Sequence, residues 1–127
     1  MIAYVDTSCI VAIALRQPDF ESIATRLASF EQLFTSTLLE AELRATLARA
    51  GIADDGSKLL REFSWIRPRR RLTVLIQRVL DQGVQLKGAD VWHLSCALYT
   101  FPRPQLAAFV SLDAKQIDVA GRLGFAT

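Results

Sequence analysis

MIAYVDTS, residues 1–8, contains a short apolar run, Ile2–Val5, that ends at an acid, Asp6. A strand covered on both faces reads this way, continuously apolar instead of alternating. Thr7 or Ser8 is placed to cap a helix that the pattern carries to about Leu15, before Gln17 and Pro18 break it. If Thr7 or Ser8 caps, the Asp6 carboxylate is left for other work. Otherwise Asp6 is itself an ordinary helix cap.

Working outward, the alternation repeats. Residues 19–30 carry Phe20, Ile23, Leu27 and Phe30 at helical spacing, and 32–36 read as a second strand. Residues 38–50 form a helix with Leu39, Leu43 and Leu47 in one stripe, stopped by Gly51. Asp54 and Asp55 open a helix to about Phe63, and 64–67 is a short candidate strand. Helices over 72–82 and from Ala89 to about Thr100 precede a strand over 107–112 and a last helix over 114–123, before Gly124. There are no internal repeats. Short apolar strands alternating with helices predict an α/β sandwich around a small parallel sheet. The length of 127 residues predicts one domain, 1–127.

With 51% hydrophobic and 22% charged residues, a packed core is available and global disorder is excluded. Two cysteines are too few for a disulfide framework, and the single histidine, His93, leaves no zinc-ligand spacing. No basic leader or bilayer-length apolar run is present, so a soluble, reducing, cytoplasmic setting is expected. Net charge is only +2, yet Arg67, Arg69, Arg70 and Arg71 crowd one stretch, IRPRRR. Arginine favours planar, bidentate contacts to phosphate, so a polyanion met at one face fits; a solvated loop around Pro68 fits equally.

Four acids stand at the edges of apolar segments: Asp6, Glu42, Asp90 and Asp113. Ligands of parallel sheets bind beyond the carboxyl ends of the strands, where Asp6 and Asp113 fall. Carboxylates gathered there repel one another unless a hard divalent cation offsets their charge, which points to Mg²⁺ or Mn²⁺ and to phosphate chemistry. Ser111 is placed to orient a carboxylate or a bound water. Glu40 rivals Glu42, about 200° away around the helix, and periodicity does not choose between them. Asp90 is also an ordinary cap. His93, three residues on, has three readings: a partner of Asp90, a contact for substrate phosphate, or a satisfied core histidine. Asp118 reads as solvated.

YVDTS (Tyr4 to Ser8), STLLEAEL (Ser36 to Leu43), GADVWHLSCAL (Gly88 to Leu98) and VSLD (Val110 to Asp113) together resemble PIN-domain proteins, and most of all the VapC toxins of bacterial type II toxin–antitoxin modules. The resemblance covers essentially the whole chain. In its second motif a Ser precedes the acid by six positions and a Leu follows it, so Ser36 and Leu43 select Glu42 over Glu40. Departures are mild: Val91 and Trp92 follow the third acid, and Ser111 stands where Thr is common. The resemblance implies a PIN-like α/β/α fold, a Mg²⁺- or Mn²⁺-dependent ribonuclease, a homodimer, and inhibition by a VapB-like antitoxin lying in the groove. It also implies that promoter DNA is bound only through the antitoxin.

In the mechanism expected from these residues, Asp6, Asp90 and Asp113, with Glu42, hold one or two divalent ions. A water activated there attacks phosphorus in line, leaving 5′-phosphate and 3′-hydroxyl ends. Ser8 and Ser111 orient ligands, and Arg69, Arg70, Arg71 and His93 are candidate contacts for RNA. Three alternatives stay open: a phosphoryl-transfer enzyme with Asp6 as nucleophile, a non-catalytic RNA-binding module, and a PIN nuclease of RNA processing that is not a toxin.

Overall fold

The computed structural model describes all 127 residues. Strands β1 (Ile2–Val5), β2 (Leu33–Ser36), β3 (Phe63–Ile66) and β4 (Ala107–Val110) form one parallel sheet in the order β3-β2-β1-β4. Seven helices flank it: α1 (Thr7–Ala14), α2 (Phe20–Ala28), α3 (Thr37–Arg49), α4 (Ser57–Leu60), α5 (Thr73–Leu80), α6 (Gly88–Thr100) and α7 (Ala114–Leu123).

Period-2 alternation on the central strands divides the core. Tyr4 of β1 and Ala107 and Phe109 of β4 face a cluster built with α5, α6 and α7. Ala3, Val5, Ala108 and Val110 face a second cluster with α1, α2 and α3. The first two crossovers run on this second face and carry the chain from β1 to β2 to β3. The third returns over the opposite face and lands beside β1. Right-handed crossovers require that change of face when the direction of travel reverses. The reversal falls between β1 and β4, the position where parallel sheets open a crevice at their carboxyl edge.

The sheet and helices match the α/β/α sandwich expected from the sequence. The helix expected from Asp54 to Phe63 shrinks to four residues, α4, for a local reason. Asp54 and Asp55 fold their carboxylates onto the N–H groups of Gly56 (3.3 Å) and Ser57 (3.0 Å), forming turns instead of a first helical turn. Gly56 adopts φ +75°, and a Cβ there would come within 2.8 Å of Leu43 Cδ2, so the tight passage over α3 needs glycine. The strand expected over 64–67 begins and ends one residue earlier, leaving Arg67 just beyond it.

Candidate functional site

Asp6 leaves β1 at the central crevice and stands at the cap position of α1, but its side chain makes no capping bond. It accepts from three neutral donors: Ser8 Oγ at 2.6 Å, Ser111 Oγ at 3.0 Å and Gln116 Nε2 at 2.9 Å. Only 2% of Asp6 is exposed. Burial pushes its pKa above the ordinary carboxylate value, and the donors from Ser8 and Ser111, the nearby His93 and the Gln116 amide pull the other way. The expectation that Thr7 or Ser8 caps α1 is overturned. Thr7 gives its hydroxyl to Glu42 (2.7 Å) and Ser8 gives its own to Asp6. A carboxylate makes the stronger, charge-assisted acceptor.

Asp90 is the third residue of α6. Its Oδ2 accepts from the Lys87 N–H at 3.3 Å, and its Oδ1 accepts from Gln116 Nε2 at 2.9 Å. One amide nitrogen therefore ties Asp6 to Asp90. Burial raises the Asp90 pKa, the Lys87 N–H opposes the rise, and the charges of Asp113 and Glu42 add to it. Asp113 caps α7, accepting from the N–H groups of Lys115 (2.9 Å) and Gln116 (3.0 Å). It shares an open cleft with Asp90, lined also by Gln85, Lys87 and Lys115. Ser111 meets both neighbours, donating to Asp6 and accepting from the Asp113 N–H at 3.0 Å.

Glu42 belongs to a separate network. Its Oε1 lies 2.7 Å from Thr7 Oγ1 and 2.8 Å from His93 Nε2, and His93 Nδ1 lies 2.7 Å from the Tyr4 hydroxyl. The hydrogen bond from His93 is the main cause of a lowered Glu42 pKa; partial burial works against it and Thr7 adds to it. Glu40 points elsewhere, toward Arg44 at 3.4 Å on the surface, so Glu42 is the acid of this helix that faces the crevice. His93 pairs with Glu42, not Asp90. At 2% exposure and with both ring nitrogens engaged, it offers no free nitrogen to a substrate phosphate, which corrects that reading and leaves the core one. Asp118 is exposed and pairs with Arg122.

Arg67, Arg69, Arg70 and Arg71 are all exposed, in the connection between β3 and α5. Because the sheet is parallel, this connection leaves at the same edge as Asp6, two strands away. The Arg70 guanidinium lies 5.5 Å from the centre of the Tyr99 ring, and the Arg69 N–H reaches the Tyr99 hydroxyl at 3.4 Å. The loop is thus partly anchored on α6.

The sequence reading missed Gln116 and the pairing partners of Glu42. Gln116 had a signal: it opens the buried face of α7 that continues through Val119, Ala120 and Leu123. A lone amide in an apolar stripe calls for a buried partner.

A family profile described as PIN domain matches residues 3–122, nearly the whole chain and all four acids. The chain belongs to the PIN domain family. No curated protein shows significant similarity to it. PIN domains are generally nucleases that use a divalent metal. The PIN crevice here fits such an ion by its chemistry: Asp6 and Asp90 bring oxygens to either side of one nitrogen, and Asp113 opens onto the same cleft as Asp90. Hard cations take oxygen ligands, and Mg²⁺ keeps several waters when few carboxylates are offered. No three of these side chains close into a cage. No helix of this PIN domain is long and apolar enough to cross a membrane.

Proposed function

We propose that this PIN domain is a Mg²⁺- or Mn²⁺-dependent endoribonuclease of the VapC kind, acting in the cytoplasm as the toxin of a toxin–antitoxin pair. The observation that carries the nuclease reading is the convergence of Asp6, at the end of β1, and Asp90, at the start of α6, on a single nitrogen at 2.9 Å each. Asp6, Asp90 and Asp113 hold the cation. When bound, the ion offsets charge on the scissile phosphate and lowers the pKa of a water. Ser8 and Ser111 fix the orientation of the Asp6 carboxylate. Glu42, kept ionised by His93 and aligned by Thr7, is available as a proton acceptor at the rim. Hydrolysis by water leaves 5′-phosphate and 3′-hydroxyl ends. Arg69, Arg70 and Arg71 grip flanking phosphates, which makes RNA binding fall with salt. The toxin assignment, the homodimer, the VapB-like antitoxin and the antitoxin-borne contact with promoter DNA rest on the motif resemblance.

The test is cleavage of total cellular RNA by wild type and Asp6→Asn, each with Mg²⁺, Mn²⁺ or EDTA. Discrete metal-dependent fragments, lost in the variant, are expected. Equal cleavage by the variant would overturn the assignment of Asp6. Growth arrest on expression, relieved by a co-expressed partner, separates a toxin from a processing nuclease.

A further inference from the structure

Gln116 is the least explained residue of the crevice. It is 3% exposed on α7, yet its Nε2 donates at 2.9 Å to both Asp6 Oδ2 and Asp90 Oδ1. A carboxamide nitrogen carries two N–H groups, and both are spent on these carboxylates. The orientation is dictated by the acceptors, because the reversed amide would set its own oxygen against two carboxylate oxygens. That leaves Oε1 buried without any partner. A buried acceptor with no donor is costly, so the amide sits in this seat at the expense of its other half.

The nitrogen thus occupies the point where positive character is most wanted between two acids that the fold forces together. Polar but uncharged, it satisfies the carboxylates only in part, and its orphan oxygen weakens its own hold. We propose that the Gln116 carboxamide is a resident stand-in for the divalent cation, holding Asp6 and Asp90 in register in the metal-free protein and giving way when the cation enters. This rests on the reading that Asp6 and Asp90 hold a cation. Gln116 is a positioning residue in this account, competing with the ion instead of binding it. An amide in this seat loosens metal affinity but prevents the metal-free crevice from springing open by repulsion.

The experiment is Mn²⁺ titration calorimetry at pH 8 on wild type and Gln116→Met, an unbranched apolar replacement of similar size, with melting curves in EDTA. Gln116→Met is expected to bind Mn²⁺ roughly tenfold more tightly, as the loss of charge-assisted hydrogen bonds that must otherwise be broken implies. It should melt several degrees lower in EDTA and gain more from Mn²⁺ than wild type does. Equal or weaker Mn²⁺ binding by a folded variant overturns the stand-in role while leaving the cation site intact. No binding by either protein overturns both this inference and the metal-dependent reading. Should the variant fail to fold, the wild-type side-chain amide resonances of Gln116 decide. In EDTA they are expected to be protected from exchange, and Mg²⁺ should shift them in one saturable step. Resonances unmoved at saturating Mg²⁺ refute the proposal.

Discussion

Asp6 and Glu42 lie in one crevice, yet their surroundings treat a negative charge in opposite ways. Asp6 is buried among hydroxyls and an amide, and its pKa is pushed up. Glu42 is about one-third exposed and bonded to an imidazole, and its pKa is pushed down. At Asp6 burial outweighs the donors around it; at Glu42, only partly buried, the direct hydrogen bond from the imidazole outweighs burial. One half of the crevice holds its acid among neutral donors, while the other bonds its acid directly to an imidazole.

The strongest way to break this contrast is to neutralise each acid in turn. Asp6→Asn should lower metal-dependent RNA cleavage by more than about 10³-fold, while its melting temperature in EDTA at neutral pH stays level or rises. Glu42→Gln should cost less activity, roughly 10- to 100-fold, and should lower the melting temperature. The pH dependence separates them again in metal-free protein. The stabilisation from Glu42 is present above its ordinary pKa of 4.5 and is lost as pH falls through the lowered folded value. The penalty from Asp6 is present above its raised folded value and is relieved as pH falls toward the ordinary 3.8. Thermal melts from pH 3 to 8 should show the gap between the two variants closing at the acid end; a constant gap would contradict the contrast.

A change that spares both halves comes next in size. Replacing Arg69, Arg70 and Arg71 with Ala should weaken RNA binding about tenfold at low salt and flatten the log–log salt dependence by about 2, with cleavage at saturating RNA retained. An unaltered slope in fluorescence binding assays would mark the loop as merely solvated. His93→Phe keeps the ring volume but orphans the Tyr4 hydroxyl, so denaturant melts should show a loss of about 1–3 kcal/mol. Thr7→Val removes one of the two donors to Glu42 and should cost about 1 kcal/mol by the same measurement.

The strands, the two-faced core and three of the four acid positions were legible because each left a local mark. β1 and β4 are apolar runs ending near acids, and α3 and α6 carry apolar stripes. Glu42 was ambiguous from periodicity because helical spacing cannot say which flank of a stripe meets a distant element. Thr7 of α1 and His93 of α6 converge on it, with Tyr4 of β1 bonded to the far side of the imidazole, a meeting set by sheet order. The shortened α4 was missed because the two aspartates read as a helix start, whereas their carboxylates close turns onto Gly56 and Ser57.

Ser111 and Gln116 reach Asp6 from 105 and 110 residues further along the chain. A ribosome adding about 5–20 residues per second therefore delivers Asp6 roughly 5–20 s before Gln116. Until then the first carboxylate has neither its orienting hydroxyl nor its amide. Closure through such distant contacts comes late in folding, after the intervening loops are closed. A site assembled this way stays incomplete through most of the chain's own translation, and it closes only once α7 has been made.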